Sequence, residues 1–233
     1  MSQEKTMSDY VIAATAMPVI PVKGGGEFPV RRVYCIGRNY AAHSIEMGDD
    51  PDRDPPFFFQ KNPDNLDASG EFPYPEKTDD VHYEVEMAVA LKTGGTNIAF
   101  ADALGHVYGY APCLDMTRRD LQNAAKKKGR PWEIGKAFER SGPIGPIETV
   151  AQIGHPSEGR VELLVNGKVQ QEGDLNQMIW KVPEMISYLS DYFELQPGDV
   201  IMSGTPSGVG PIVRGDVMTV NIAGLDTLTV KVI

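Results

Sequence analysis

The sequence predicts an α+β fold that is predominantly β, and three observations predict it. Short apolar runs with two-residue alternation recur along the chain, each bounded by turns rich in Gly or Pro. Asn166-Gly167, between the runs at 160–165 and 168–171, is a strong type I′ hairpin signal. Only three or four short segments read as helix, and the regular strand–helix alternation of a doubly wound nucleotide-binding fold is missing.

In chain order, residues 19–22 and 30–36 read as strands of a hairpin turned by Gly24-Gly25-Gly26. Residues 38–47 read as a short helix and 48–56, with four aspartates among three prolines, as an exposed loop. A buried strand is expected at 57–60, then a long loop to about residue 80. After the alternating run at 82–91 comes a short helix near Ala101 and a strand at 106–114. Thr117 with Asp120 three residues on resembles a capping box for a helix to Lys128, stopped by Gly129. Residues 183–192 read as helix, and 200–203, 216–222 and 228–233 as strands following Gly-containing turns.

At 233 residues the chain fits one domain with a small appendage, read here as an extension and first hairpin strand at 1–27 ahead of the domain at 28–233. Lys and Arg number 22 against 32 Asp and Glu, a net charge of −10, which argues against nucleic acid or an anionic membrane as partner. It leaves room for a small anionic substrate, because a few local cations can govern one pocket. Cys35 and Cys113 lie in apolar runs with no metal or disulfide spacing, so both read as reduced core residues. The early apolar run is interrupted by Pro18 and Pro21 and lacks a basic flank, so neither a signal peptide nor a membrane span is expected, and the location is read as cytoplasmic.

The run at 82–91 carries the chemistry. As a strand it puts Tyr83, Val85, Met87, Val89 and Leu91 on one face and His82, Glu84, Glu86, Ala88 and Ala90 on the other. Two carboxylates two residues apart on one face repel unless water screens them or a cation joins them. A solvated strand face satisfies the first condition. Asp115, ending a second apolar strand, favours the other: three hard oxygen donors suit Mg²⁺ or Mn²⁺, with Ca²⁺ as a further fit.

His43 and Glu46 lie three apart on the predicted helix and so share a face. A carboxylate beside an imidazole fixes its tautomer, as a general base requires, although the same spacing also serves surface contacts. Lys136, among Trp132, Ile134 and Phe138, is either a snorkelling lysine or a cation aimed into a pocket. Lys126-Lys127-Lys128 reads as a solvated helix end. The loop 203–210, Ser-Gly-Thr-Pro-Ser-Gly-Val-Gly, lacks a Walker ending, yet its backbone N–H groups and Thr205 could hold a carboxylate. His82, His106 and His155 have no ligand-like spacing.

Five segments together resemble the fumarylacetoacetate hydrolase family: 34–47 (Tyr-Cys-Ile-Gly-Arg-Asn-Tyr-Ala-Ala-His-Ser-Ile-Glu-Met), 82–88, 114–122, 131–138 and 203–210. Two more, 48–61 and 173–183, are similar to the fumarylpyruvate hydrolases of that family. The resemblance implies a mixed β-roll like the family's C-terminal domain, a homodimer, and a divalent cation held by Glu84, Glu86 and Asp115. It implies His43 with Glu46 as the water-activating pair on a lid, and Lys136 as the cation near developing negative charge. Arg38, Tyr40, Lys61, Arg119, Gln122, Gly204 and Thr205 are the positions it implies for substrate binding. Larger eukaryotic members carry a fourth carboxylate ligand where this chain has Ile36-Gly37, so water is expected there. The segment 61–65 also departs from the Lys-Pro often found in the family.

The activity so implied is hydrolysis of the C–C bond of a 2,4-diketo acid, with fumarylpyruvate yielding fumarate and pyruvate. Decarboxylation of oxaloacetate, or hydrolysis of another acylpyruvate, is the alternative enzyme. A non-catalytic organic-acid or metal-binding protein is the alternative from outside enzymes.

Overall fold

One face of the alternating run at 81–91 is apolar throughout and the other turns apolar at Ala88 and Ala90, and the architecture follows from covering both. The computed structural model describes residues 11–46 and 55–233. Val85–Leu91 is an inner strand of a six-stranded sheet, ordered Glu148–Thr149, Val107–Leu114, Val85–Leu91, Asp199–Met202, Arg32–Gly37, Phe57–Lys61. Within it, Asp199–Met202 runs parallel to Arg32–Gly37 and the other pairs are antiparallel. A five-stranded sheet holds Lys168–Asp174, Arg160–Val165, Val217–Ile222, Leu228–Val232 and Glu71–Phe72.

Tyr83, Val85, Met87, Val89 and Leu91 enter the main core, with residues of the second sheet and of helix α5 (Val182–Tyr192). Ala88 and Ala90, on the opposite face, join a smaller core with Ile20, Phe28, Cys35 and Cys113. Each buried large aliphatic side chain stabilises this arrangement by about 1.5–3 kcal/mol. Ahead of Ala88 the same face carries Glu84 and Glu86, so the acids stand where the smaller core gives out. They are buried, which excludes the solvated-face reading.

The remaining helices are α1 (Ala41–Glu46), α2 (Arg119–Lys127), α3 (Glu133–Lys136) and α4 (Val150–Ile153). Among the described residues no helix is long and apolar enough to cross a membrane. Among the described residues, five α-helices and two main sheets give the α+β, predominantly β fold that the sequence predicts. Asn166 and Gly167 both have positive φ, 51° and 76°, as a type I′ turn requires.

Four local expectations are corrected. The hairpin over Gly24–Gly26 pairs Val19–Pro21 with Glu27–Pro29, not with 30–36. Beyond Pro29 the chain changes partner: the Arg31 N–H donates to the Gly198 carbonyl at 2.8 Å, and Arg32–Gly37 then pairs with Asp199–Met202. The helix expected from residue 38 begins at Ala41, because Arg38 adopts a left-handed φ of 58°. Phe57–Lys61 is an edge strand whose first residue is 40% exposed, so it is not the buried strand expected. Thr117 does not cap α2; Arg118 holds that position, and the Thr117 hydroxyl is drawn instead to Lys136. Of the loop at 48–56, residues 48–54 lie outside the described residues, as does Met47.

Candidate active site

Antiparallel register assembles the three acids. Val85 is opposite Leu114, so Asp115 falls beside Glu84 and its N–H donates to the Glu84 carbonyl at 2.8 Å. Glu84, Glu86 and Asp115 each present a carboxylate oxygen within 4.8 Å of the other two, all nearly removed from solvent.

Such burial of charge is tolerated only with partners. Lys136 Nζ, at the end of α3, donates to Glu84 Oε2 (2.8 Å), Asp115 Oδ2 (2.7 Å) and Thr117 Oγ1 (2.7 Å). The Arg119 guanidinium donates to Glu84 Oε1 (2.5 Å) and to Gln122 Oε1 (2.6 Å). Lys61 Nζ stands 2.9 Å from Asp115 Oδ1 and donates to Ser141 Oγ (3.0 Å) and to the Lys136 carbonyl. Three cations thus serve Glu84 and Asp115 at the base of the cleft, and Glu86 has no cation bonded to it.

The cations divide unevenly among the acids. Burial would raise the Glu84 carboxyl, but Lys136 and Arg119 outweigh it and hold the group well below the usual carboxylate range. Burial raises Glu86 too, and its neighbours Asp115 and Glu84 push it further up, against only the Gly204 N–H at 2.8 Å and the more distant Lys136. Burial would lower the Lys136 ammonium, but Asp115 and Glu84 raise it overall, so it stays charged.

This donor set fits a divalent cation. It offers three converging hard oxygens, and Asp115 Oδ1 is buried with an ionic contact to Lys61 but no hydrogen bond of good geometry. Glu84, Glu86 and Asp115 are the residues that would hold such an ion.

Beside the acids, His43 is buried on the cleft wall, its Nδ1 3.1 Å from Glu46 Oε2. The Glu46 carboxylate in turn accepts the Gly208 N–H at 3.1 Å. The loop 203–210 thus spends its N–H groups on protein carboxylates: Gly204 serves Glu86, and Gly208 serves Glu46. Both glycines have positive φ, 91° and 96°, which aims those N–H groups without strain. Thr205 Oγ1 accepts from Gln171 Nε2 (2.8 Å), and Gln171 also accepts the Val85 N–H (3.0 Å).

The cleft brings together His43, Lys136 and the three acids, and with them Arg38, Arg119, Gln122 and Thr205. Three residues expected on the substrate side are elsewhere. Tyr40 is buried in the main core, Lys61 stands behind Asp115, and Gly204 faces Glu86. Sequence reasoning missed the aromatic wall of Phe57, Phe59 and Trp132, whose rings contact at 5.1 and 5.8 Å across Trp132. It also missed Lys126, which lines the cleft although it reads as part of a solvated helix end. A signal for it existed: Arg119, Gln122 and Lys126 are spaced i, i+3, i+7 on one helix face.

Cys35 and Cys113 are free and buried in the core, and burial pushes both thiols well up. His82, His106 and His155 pair with Asp80, Thr93 and Tyr110 and take no part in the cleft.

The sequence matches the family described as fumarylacetoacetate (FAA) hydrolase C-terminal over residues 32–233. A fumarylpyruvate hydrolase from Pseudomonas aeruginosa, solved in complex with Mn²⁺ and pyruvate, is similar to the chain at 50% identity and a TM-score of 0.94, covering 96% of this chain and 99% of that one. The mitochondrial oxaloacetate tautomerase FAHD1 of Homo sapiens is 37% identical, covering 87% of this chain and 91% of that protein. The mitochondrial oxaloacetate decarboxylase of Dictyostelium discoideum is 38% identical over 84% and 91% of the two chains.

Proposed function

From the premise that this chain belongs to the fumarylacetoacetate hydrolase family, we propose that it is a divalent-cation-dependent hydrolase of acylpyruvates, with fumarylpyruvate its substrate. The observation that carries the reading is the His43–Glu46 pair on the cleft wall next to the acidic trio. A hydrolase must activate water, and a decarboxylase need not. The likeness to the Pseudomonas aeruginosa enzyme at 50% identity supports the choice of substrate.

When bound, a Mg²⁺ or Mn²⁺ ion supplies a chelation point for a 2-keto acid and electrostatic stabilisation of an enolate oxygen. The protein does the rest. Glu46 accepts a hydrogen bond from His43 Nδ1, which leaves the Nε2 lone pair to take a proton from water. The hydroxide so formed attacks the carbonyl at C4 of the substrate. The C3–C4 bond breaks, its electron pair passes to the pyruvate enolate, and protonation at C3 gives pyruvate beside fumarate. Lys136, kept cationic by Asp115 and Glu84, supplies fixed positive charge as the enolate develops. General base catalysis of this kind contributes about 10²–10⁴-fold.

The reading includes a homodimer in the cytoplasm and no nucleic-acid or membrane partner. Its test is turnover of fumarylpyruvate, other acylpyruvates and oxaloacetate, with and without chelator, following fumarate, pyruvate and CO₂. Chelator-sensitive release of fumarate is expected, and His43→Ala should lower it by at least about 10²-fold while Mn²⁺ binding persists. The oxaloacetate-directed relatives favour a second reading, in which CO₂ or tautomerisation dominates and His43→Ala leaves decarboxylation unchanged. That pattern would replace the first.

A further inference from the structure

Lys168–Asp174 is an edge strand of the five-stranded sheet, and Gln171 is its one buried residue, at 0% exposure. A bulge puts it there: Leu163 pairs with Gln171 and Leu164 with Val169, so Gln170 is an extra residue that re-aims the strand. The loop 203–210 lies directly on that bulge, since a Cβ on Gly208 would collide with the Gln170 carbonyl oxygen. A side-chain amide so buried must spend its donors and its acceptor inside the protein. We propose that Gln171 is a positioning residue for the ligand: by donating to Thr205 Oγ1 it commits the Thr205 hydroxyl proton to an oxygen of the keto acid in the cleft. The proposal deepens the reading above and rests on it, because the keto-acid end of the substrate is taken to sit at the acidic trio.

Partners with a single role each fix which way the amide points. The Val85 N–H can only donate, and Gln171 Oε1 accepts it at 3.0 Å. The Pro206 carbonyl can only accept, and Gln171 Nε2 donates to it at 2.8 Å. The NH₂ group therefore faces the 203–210 loop, and its other hydrogen goes to Thr205 Oγ1, also at 2.8 Å. A hydroxyl that accepts from an amide keeps its own proton for another acceptor. Among the described residues the structure records no such acceptor for Thr205. Thr205 lines the cleft with the three acids, so the open side of its hydroxyl is the side on which a ligand binds.

A purely structural role would need only the Val85 contact, which ties the second sheet to the strand carrying Glu86. Substitution by Glu separates the two roles. A carboxyl keeps the acceptor for Val85 but has one hydrogen at most in place of two, and the Pro206 carbonyl, which cannot donate, takes any that remains. The Thr205 hydroxyl is then left to donate to that carboxyl, and its proton turns away from the cleft.

The test is a double-mutant cycle read by calorimetric titration of oxalate, which presents adjacent oxygens as a 2-keto acid does, into the Mn²⁺-supplied protein. Gln171→Glu and Thr205→Val should each weaken oxalate binding by about tenfold or more, the worth of a hydrogen bond to a charged group. In the Thr205→Val background the loss from Gln171→Glu should shrink by at least about threefold, because the hydroxyl it acts through is gone. Mn²⁺ affinity without oxalate should stay within about twofold in Gln171→Glu, since the Val85 contact survives. An equal loss in both backgrounds, or a fall in Mn²⁺ affinity that matches the fall for oxalate, would reduce Gln171 to a structural tie and overturn the proposal. Unchanged oxalate affinity in Gln171→Glu, or no oxalate binding by the wild-type protein, would overturn it too. If Gln171→Glu does not fold, Gln171→Met, which adds no charge, takes its place with the same coupling to Thr205 expected. If the coupling is found but no acylpyruvate is hydrolysed, the positioning role stands and the hydrolase reading fails. If acylpyruvates are hydrolysed but the coupling is missing, the hydrolase reading stands and the positioning role fails.

Discussion

Lys61 looks, by position in the family pattern, like a substrate contact, yet its ammonium is spent entirely inside the protein. Both it and Asp115 are at most 2% exposed, and their 2.9 Å contact fixes the Asp115 oxygen that Lys136 does not reach. Removing one member of a buried pair leaves the other charged without compensation, at a cost of about 3–5 kcal/mol. Lys61→Met should therefore lower thermal stability by several degrees in chelator, at about 2–4 °C per kcal/mol for a chain of this size. Thermal unfolding of the metal-free variant measures this, and a change below about 1 kcal/mol would mean that Asp115 is held by Lys136 alone. Lys126 reverses the case: as one of three consecutive lysines it reads as a solvent-facing helix end, and only its seven-residue spacing from Arg119 sets it apart.

At the scale of elements, alternation is what made the central strand legible. A period of two over 81–91 assigns Glu84 and Glu86 to one face from the sequence alone, and the same face holds Ala88 and Ala90 in the smaller core. What periodicity does not encode is a partner far along the chain. Thr117 has the spacing of a helix cap, but Lys136, 19 residues later, offers its hydroxyl a buried charged donor at 2.7 Å. The run expected as a strand at 30–36 forms one at Arg32–Gly37, but between Phe57–Lys61 and the parallel strand Asp199–Met202, a pairing no local pattern announces. Lys136 itself depends on a close helix crossing. A Cβ on Gly135 would stand 3.0–3.1 Å from Gln122 N, Cα and Cβ, so α3 and α2 must part by a few tenths of an ångström to admit one. Gly135→Ala is accordingly expected to displace Lys136 from Glu84 and Gln122 from the cleft wall together. Misplacement of about 1 Å can cost about 10²-fold in rate. We expect kcat/KM to fall by about tenfold or more with little change in unfolding temperature, because alanine favours the helix. Unchanged kinetics would show that the two helices separate freely.

For the whole molecule, the base of the cleft couples cation binding to folding and to pH. Take the metal-free protein first. Glu84, held below its ordinary value of 4.5 by Lys136 and Arg119, stabilises the fold above that pH and loses its contribution as pH falls. Glu86 acts with the opposite sign. Its carboxyl is raised well above 4.5 by burial and by Asp115 and Glu84, so the folded state retains a proton that the unfolded chain has released. Its contribution is complete below 4.5 and is lost as pH rises toward its folded value. A divalent cation held by the trio would take the place of that proton, and ligands must be deprotonated to bind it. Cation and proton then compete for one carboxylate, at up to about 1.4 kcal/mol per pH unit for one proton exchanged. The expected outcome is that Mn²⁺ raises the unfolding temperature over a chelator control by an increment that grows between pH 5 and pH 8. Calorimetric titration with Mn²⁺ in two buffers of different ionisation enthalpy should also report release of up to one proton per ion at the acid end of that range. An increment constant with pH, together with buffer-independent heats, would mean that Glu86 is already ionised in the free protein and that Lys136 or another cation reaches it. Glu86→Gln supplies the matching control: it should abolish the pH dependence and weaken the ion together, because one carboxylate carries both.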